Sequence, residues 1–191
     1  AIRIPQKGRG RALKIAWSTS KARVRAYMDV DLSTDIRQIP ELVGPILDGR
    51  ADVCFGSRLL PASRVERCAK REFISRSYNR MLQSYLGVHF HDAQCGFKAI
   101  SAEAADTLLP LIQDNEWFFD TELLVLAERM GIASCEFAVR WKEDAGTTVH
   151  IVDTVRKDLA GMKRLKTSEG QAGSSQSNAY LYPLKQAADA R

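Results

Sequence analysis

Asp29 and Asp31 are the residues whose type and spacing best suit chemistry in this chain of 191 residues. They follow Val24–Met28, a short stretch that predicts a β-strand. Because alternate residues of a strand point to the same side, both carboxylates are expected to face one way. Close carboxylates repel each other unless a cation lies between them, and Mg²⁺ or Mn²⁺ would accept such ligands together with phosphate oxygens. The alternative is a solvated acidic turn that caps the following helix.

A row of polar residues is the second candidate, because its members recur at steps of four along a helix predicted over 65–86. The row consists of Arg67, Arg71, Ser75 and Asn79. This spacing places them in one stripe on the helix surface, and Arg58 follows the end of a predicted strand. Guanidinium groups hold phosphate oxygens in a bidentate fork, so arginines that converge near a metal would suit an anionic substrate. The alternative is an exposed basic helix face.

Two further segments carry candidate residues, DAQCGFK at 92–98 and WFFDTELL at 117–124. In the first, Gly96 would allow a ligand to approach the backbone closely. In the second, Asp120 and Glu122 flank a predicted helix start. The alternative for Asp120 is a helix N-cap.

The elements that must position these residues are predicted to alternate between helix and strand. Helices are predicted at 11–21, from 33 or 34 to 49, and at 65–86, 102–109, 121–130 and 154–166. Strands are predicted at 24–28, 52–57, within 92–100, and at 135–141. The alternation indicates an α/β fold with a mostly parallel sheet covered by helices.

The last predicted helix, Thr154–Lys166, is amphipathic and basic. Its apolar stripe consists of Val155, Leu159, Met162 and Leu165. This composition predicts a helix that lies on a membrane surface. The alternative is an ordinary helix that packs its stripe on the core.

Composition excludes several classes of protein. Hydrophobic residues make up 45% and charged residues 27% of the chain, which excludes collagen-like and wholly disordered proteins. The longest apolar run, Leu123–Ala127, is far shorter than a membrane-spanning helix requires. The net charge of +5 leaves nucleic acid, an anionic membrane or a phosphorylated small molecule as partners. Aromatic residues are not interleaved with the basic ones, which argues against a single-strand nucleic-acid binder.

Taken in order, the motifs resemble the family 2 inverting glycosyltransferases with a GT-A fold. Within that family they resemble the dolichyl-phosphate mannose synthases and dolichyl-phosphate β-glucosyltransferases. GRGRAL resembles the glycine–basic–glycine loop, YMDVDLST the metal-binding strand, and CFGSR with the polar row the acceptor-side arginines. DAQCGFKA, WFFDTELL and VRWKEDAGTTV resemble the glucosyltransferase branch in particular. The likeness covers about residues 7–166.

The resemblance implies a Rossmann-like GT-A domain, a mostly parallel sheet with helices on both faces, that lacks its first strands. Family members open with a strand and a V-I-P-x-Y-N-E-like turn for the nucleotide base, so the chain is expected to be truncated at its N-terminus. Residues 1–166 would form the partial domain and 167–191 a flexible polar tail. Where the mannose synthases carry Gln two residues after the DxD motif, this chain has Ser33.

The implied reaction moves glucose or mannose from UDP-glucose or GDP-mannose to a polyprenyl or dolichyl phosphate, with Mg²⁺ or Mn²⁺. It would take place at the cytoplasmic face of a membrane, through peripheral contact and with no nucleic-acid partner. Two alternatives stay open: a glycosyltransferase with a polysaccharide or cell-wall acceptor, and an inactive remnant that serves as a binding module.

The resemblance also assigns roles to individual residues. The metal ligands are Asp29 and Asp31, and the catalytic set is Asp31, Arg58, Arg71, Asp92 and Asp120. The substrate-binding set is Gly8, Arg9, Gly10, Asp29, Arg67, Ser75, Asn79, Gln94 and Gly96. Arg58 and Arg71 would hold the acceptor phosphate in line with the anomeric carbon. Because that phosphate is already ionised, the reaction needs no strong general base.

Overall fold

A computed structural model of the chain describes residues 2–143 and 151–169. The helices are α1 (Arg9–Thr19), α2 (Ile39–Leu47), α3 (Ala69–Leu86), α4 (Ala102–Leu108), α5 (Phe119–Arg129) and α6 (Ile151–Glu169), with a 3-10 turn at Ile36–Gln38. The strands are β1 (Val24–Met28), β2 (Val53–Ser57), β3 (Arg64–Glu66), β4 (Phe97–Ser101), β5 (Ser134–Ala138) and β6 (Arg140–Lys142). None of the helices within the described ranges is long and apolar enough to cross a bilayer.

The main sheet has four strands in the order β1-β4-β2-β5. β4 is antiparallel to both of its neighbours, whereas β2 and β5 are parallel. Three of the four strands therefore run in one direction, with β4 reversed among them. The pairing sets Tyr27 of β1 opposite Lys98 of β4, and this register matters for the site.

Helices cover both faces of this sheet, as predicted. One face carries Val53, Phe55 and Ile100 and packs against the larger core, which includes residues of α3, α4, α5 and α6. The opposite face carries Cys54, Phe97 and Ala99 and packs against Leu42 and Ile46 of α2. Alternate residues of each strand thus fill two separate cores, as a pleated strand covered on both sides requires.

A second, small sheet shows that two predicted elements, the helix at 65–86 and the strand at 135–141, have different boundaries. β3 and β6 pair in parallel, so the predicted helix over 65–86 begins only at Ala69 and Arg67 lies before it. The predicted strand at 135–141 is two strands that belong to different sheets. Residues 33–35 run beside β6 in the opposite direction: Thr34 pairs with Trp141, and the Lys142 N–H donates to the Ser33 carbonyl at 2.8 Å.

Helix α6 packs on the body of the protein. Met162 and Leu165 of its apolar stripe are buried in the larger core, while Leu159 is exposed. The core-packing alternative therefore holds for these two residues, and the membrane-surface prediction is wrong for them. The Val155 side chain lies outside the described residues, as do 144–150 and 170–191.

Candidate active site

Five side chains form one partly buried charged network, which we call the aspartate cluster. Its members are Arg9, Tyr27, Asp29, Lys98 and Asp120. One guanidinium nitrogen of Arg9, Nη2, lies 3.1 Å from Asp29 Oδ1, 3.5 Å from Asp120 Oδ2 and 3.0 Å from the Tyr27 hydroxyl. The Tyr27 hydroxyl also donates to Asp120 Oδ1. Residues far apart in sequence thus meet around the end of β1.

Lys98 holds the deep side of the cluster. Its ammonium group donates to Asp120 Oδ1 at 2.8 Å, to the Ala93 carbonyl at 2.9 Å and to the Cys95 carbonyl at 2.8 Å. All three of its N–H groups are therefore used, and the buried charge is paired. Lys98 links α5 to the loop at 92–96 that precedes β4.

The GRG loop delivers Arg9 to the cluster. The Gly10 N–H donates to the Glu116 carbonyl at 3.1 Å, and a Cβ on Gly10 would lie 2.6 Å from Cβ of Phe119. Gly8 has a φ of 142° and leaves no room for a side chain beside the Asn115 carbonyl. Both glycines thus allow α1 to dock on segment 115–119, although their predicted contact with substrate is not tested by this packing.

The docked Arg9 guanidinium lies between two aromatic rings. It is 5.0 Å from the centre of the Tyr27 ring and 5.1 Å from that of Trp117. Such cation–π contacts stabilise the charge. Burial opposes ionisation of Arg9, but Asp120, Tyr27 and Asp29 raise its pKa above the ordinary value.

The two aspartates of the cluster have opposite electrostatic environments. Burial raises the pKa of Asp29, Asp120 and Asp31 raise it further, and Arg9 opposes them. Burial also disfavours ionised Asp120, but Lys98 and Arg9 outweigh it and lower the pKa of Asp120. Asp120 is therefore a fixed anion, whereas Asp29, half-buried, is the carboxylate that a further cation would relieve.

Asp29 and Asp31 lie in a turn instead of on a strand. β1 ends at Met28, and the Leu32 N–H donates to the Asp29 carbonyl at 3.2 Å. Asp31 is exposed and accepts from the Ser33 N–H at 3.0 Å. The strand-based reason for their shared direction is wrong, but the charge of Asp31 still acts on Asp29. Nor is Asp120 an N-cap, because Phe118 holds that position of α5.

The donor set fits a divalent cation that takes its remaining ligands from a substrate. In the described ranges, no three Asp, Glu, His or Cys side chains converge as a complete metal centre. Asp29 and Asp31 supply hard carboxylate oxygens, the kind that Mg²⁺ and Mn²⁺ prefer. Gly96 makes room for Asp29, because a Cβ there would overlap the Asp29 carboxylate, and the Gly96 carbonyl accepts from the Asp29 N–H at 2.9 Å.

Arg58 is held by Asp92, which belongs to the same 92–96 loop as Gly96. Both oxygens of the fully buried Asp92 carboxylate accept from the Arg58 guanidinium, at 2.7 and 2.8 Å, and one also accepts from the Arg58 N–H. Burial opposes the charge of Arg58, but Asp92 and, more weakly, Asp29 raise its pKa. Burial likewise opposes ionisation of Asp92, but Arg58 lowers its pKa. Asp92 therefore positions Arg58, which also lies 5.6 Å from the Trp141 ring centre.

The other two candidate arginines, Arg71 and Arg67, pair with different carboxylates, and that of Arg67 is shared with Arg76. Arg71 Nη1 lies 2.5 Å from Glu143 Oε1, and the two side chains are 38% and 19% exposed. Arg67 Nε donates to Glu72 Oε2 at 2.6 Å. Because Arg67 precedes α3, the predicted stripe keeps only Arg71, Ser75 and Asn79. We call Arg58, Arg67 and Arg71 the arginine row.

Asn79 and Gln94 hold the 92–96 loop. The Asn79 amide donates to the Ser75 carbonyl and its Oδ1 accepts from the Ala93 N–H, both at 2.9 Å. The Gln94 amide donates to Asp158 of α6 at 3.0 Å. These contacts connect α3 and α6 to the segment that ends beside Asp29. They give both residues a positioning role, and contact with substrate is still a prediction.

Four residues of the site were not identified from the sequence: Tyr27, Lys98, Trp117 and Asp158. A lysine inside an otherwise apolar strand, FKAI at 97–100, is the one available signal, because a buried lysine requires an anionic partner. The sequence did not distinguish Asp158 from the other charged residues of its helix. Burial raises its pKa to about 6.

Comparison with known proteins agrees with the motifs. The model of glycosyl transferase family 2 matches residues 1–109. Glycosyltransferase AglD of Haloferax volcanii is 41% identical over 155 residues, which are 81% of this chain and 24% of that protein. The dolichyl-phosphate beta-glucosyltransferase of Homo sapiens is 28% identical over 159 residues, 75% of this chain and 47% of that enzyme. The chain thus spans about a quarter to a half of the length of these relatives.

A solved structure confirms the fold. Glucosyl-3-phosphoglycerate synthase from Mycobacterium tuberculosis, in complex with Mn²⁺ and UDP-glucose, superposes with a TM-score of 0.59 at 18% identity. The match covers 83% of this chain and 56% of that one. The α/β fold of the GT-A type that the motifs predicted is therefore confirmed.

Proposed function

Since the chain belongs to glycosyl transferase family 2, we propose that it transfers a hexose, with inversion, from a nucleotide-sugar to a polyprenyl phosphate. The observation that carries the proposal is that one loop, residues 92–96, contacts both groups: Gly96 borders the Asp29 carboxylate, and Asp92 accepts two hydrogen bonds from the Arg58 guanidinium. A donor diphosphate held at Asp29 would thus share this loop with a cation that suits the phosphate of an acceptor. Dolichyl phosphate is the proposed acceptor, because the human relative is a dolichyl-phosphate beta-glucosyltransferase.

On the donor side, Asp29 and Asp31 would hold Mg²⁺ or Mn²⁺. When bound, the metal supplies charge neutralisation for the diphosphate leaving group. Arg9 fixes the Asp29 carboxylate at 3.1 Å, and Lys98 fixes the 92–96 loop whose Gly96 borders it. The mycobacterial synthase was crystallised with Mn²⁺ and UDP-glucose, which supports UDP-glucose as the first donor to test.

On the acceptor side, the two candidate arginines differ in availability. Two nitrogens of the Arg58 guanidinium bond to Asp92, which fixes the direction of its remaining N–H groups. Arg71, the more exposed member of its pair, would exchange Glu143 for the acceptor phosphate. Both residues would orient an acceptor that is already ionised, so their contribution is alignment of the attacking oxygen. The proposed setting is the cytoplasmic face of a membrane, where a lipid phosphate is accessible.

Calorimetry of UDP binding to the 191-residue chain tests the donor side. We expect binding with Mn²⁺ present and at least about tenfold weaker binding with the metal chelated, a difference of about 1.4 kcal/mol. Asp29→Asn should remove this metal dependence, while Asp48→Asn, in an exposed pair with Arg50, should not. Equal binding with and without metal, or no binding, contradicts the proposal.

Transfer of labelled glucose from UDP-glucose to dolichyl phosphate tests the acceptor side, with GDP-mannose as the second donor. Product from either donor supports a polyprenyl phosphate acceptor. Metal-dependent UDP binding without lipid product from either donor would instead favour a different acceptor, such as a glycan.

A further inference from the structure

Exposed apolar side chains concentrate in one short segment, residues 30–39. The described residues include twelve exposed large apolar side chains, and four of them lie within these ten positions. They are Val30 (98% exposed), Leu32 (58%), Ile36 (52%) and Ile39 (38%). Single exposed apolar residues are ordinary, but a concentration of them marks an interaction surface.

The backbone of this segment holds the apolar side chains outward. Leu32 has a φ of 55°, and it is the one non-glycine residue in the described ranges with a positive φ. A bulky residue in this conformation is strained, and such strain persists where surrounding contacts impose it. Here the Lys142 N–H to Ser33 carbonyl bond (2.8 Å) and the Asp35 N–H to Arg140 carbonyl bond (3.0 Å) fix the chain on β6.

A basic cleft of about 530 Å³ adjoins the segment. Leu32 is part of its wall, and Trp141 also lines it. Its charged lining residues are four cations and two anions, namely Arg37, Arg64, Arg140 and Lys142 with Asp35 and Glu66. The cleft therefore carries a net positive charge next to an exposed apolar rim.

We propose that the apolar rim (Val30, Leu32, Ile36 and Ile39) and the basic cleft together form a docking surface for an anionic lipid bilayer. The apolar side chains would enter the headgroup–acyl boundary, and the cleft cations would contact lipid phosphates. This inference rests on the proposed function, because a lipid-bound acceptor requires the Asp29–Leu32 turn to approach the membrane.

Burial and position favour this surface over α6. Met162 and Leu165 of α6 are buried in the core, so that helix cannot present its whole stripe to lipid. The docking surface includes Val30 and Leu32, which lie in the same turn as the metal-ligand candidates. Basic residues near an anionic membrane contribute about 1 kcal/mol each, and salt screens that attraction.

Vesicle co-sedimentation of the 191-residue chain tests the proposal, with no polyprenyl phosphate or nucleotide present. We expect binding to mixed phosphatidylcholine–phosphatidylglycerol vesicles that weakens with salt, and much weaker binding to phosphatidylcholine alone. The double variant Leu32→Glu/Ile36→Glu should lower the partition coefficient at least about tenfold. Leu111→Glu is the matched control, since Leu111 is 46% exposed in a different part of the fold. Arg64→Gln/Lys142→Gln should lower binding to the anionic vesicles only.

Three results would overturn the docking surface: no binding of the unaltered chain to anionic vesicles, unchanged binding of Leu32→Glu/Ile36→Glu, or an equal loss in Leu111→Glu. A loss caused by Leu159→Glu alone would assign the contact to α6 instead. Should the double glutamate variant melt early, Ile36→Ser/Ile39→Ser gives the same comparison with a smaller change. Because UDP calorimetry is run without vesicles, the proposed function and the docking surface can fail independently.

Discussion

In the aspartate cluster, side chains from α1, β1, β4, α5 and the turn after β1 share one network, whereas the guanidinium groups of the arginine row pair with three different carboxylates. Within this network, the single carboxylate of Asp120 accepts hydrogen bonds from both Lys98 and Tyr27 and lies 3.5 Å from Arg9. Arg71, by contrast, pairs with Glu143 in a contact that solvent reaches.

This difference separates residues that keep the site in shape from residues that can exchange partners. Removing a member of a buried network leaves a charge without compensation, which is costly. The Arg71–Glu143 pair is partly exposed, so solvent weakens it and an incoming anion can replace its carboxylate. The Arg58–Asp92 pair is intermediate in burial, because the Asp92 side chain is fully buried whereas the Arg58 side chain is not. We therefore expect the aspartate cluster to govern stability and donor binding. The arginine row should govern acceptor binding.

The largest expected effect is on stability and follows from Lys98→Met. This change leaves Asp120 buried without its ammonium partner, so we expect a loss of about 3–5 kcal/mol in the free energy of unfolding. Arg71→Met, in the arginine row, should cost less than about 1 kcal/mol. Urea denaturation followed by circular dichroism measures both values.

A double-mutant cycle checks the pairing behind that loss. Lys98→Met combined with Asp120→Asn should destabilise by clearly less than the two single changes added together, because each removes the same contact. Strict additivity would show that Lys98 and Asp120 do not act as a pair, and it would remove the contrast between the two regions.

Asp29→Asn has the next largest effect, on activity instead of stability. We expect transfer to fall at least about 100-fold, close to 2.7 kcal/mol of transition-state stabilisation, with the melting temperature nearly unchanged. The reason is that the half-buried Asp29 supplies a metal ligand but is not the deep anchor of the network. Asp31→Asn should behave similarly. Labelled-sugar transfer with unaltered activity in Asp29→Asn would contradict the metal site.

The sequence predicted the parts of this site that depend on local pattern. β1 runs from Val24 to Met28 as predicted, and Arg9, Asp29 and Asp120, which the resemblance assigned to one site, do lie together. Glycine–basic–glycine and DxD spacings are local features, so they can be recognised along the chain. Helix boundaries set by apolar periodicity were also close, as in α4 and α5.

The features that could not be predicted from the sequence depend on contacts between residues that are far apart along the chain. Helical periodicity extended through Val65, but Val65 pairs with Trp141 and so belongs to β3. Lys98 has a function only because β4 reverses beside β1 and brings it to Asp120. Asp158 reaches Gln94 only after α6 packs on the core. Periodicity records which face of an element is apolar and does not record which element that face meets.

Arg71→Ala tests the division between the aspartate cluster and the arginine row through a smaller effect, on acceptor binding. We expect the KM for dolichyl phosphate to rise about tenfold, equivalent to about 1.4 kcal/mol, because a phosphate must then bind without this guanidinium. UDP binding measured by calorimetry should stay within about twofold of the unaltered chain. Arg71→Lys should recover part of the loss, since lysine keeps the charge without the bidentate fork.

Arg80→Ala is the matched control for this prediction. Arg80 is exposed on the same helix, so its removal takes one positive charge from α3 and leaves the Glu72 contact of Arg67 in place. An equal rise in KM for Arg80→Ala, or an equal loss of donor and acceptor affinity in Arg71→Ala, would show that general charge on α3 is what matters.

The smallest effect concerns Asp158, whose carboxylate oxygen Oδ2 accepts from the amide of Gln94. Burial raises the pKa of Asp158 from 3.8 to about 6. The folded protein therefore binds a proton between those pH values that the unfolded chain does not, so stability falls as pH rises through this window.

Asp158→Asn removes this contribution, while the raised pKa of His91, caused by its hydrogen bond to Glu136, stays common to both proteins. The melting temperature of Asp158→Asn minus that of the unaltered chain should thus be about 2–4 °C larger at pH 7.5 than at pH 5, the shift that about 1 kcal/mol produces in a domain of this size. A difference that does not change with pH would mean that Asp158 is ionised throughout, and that the link from α6 to the 92–96 loop is an ordinary charged hydrogen bond.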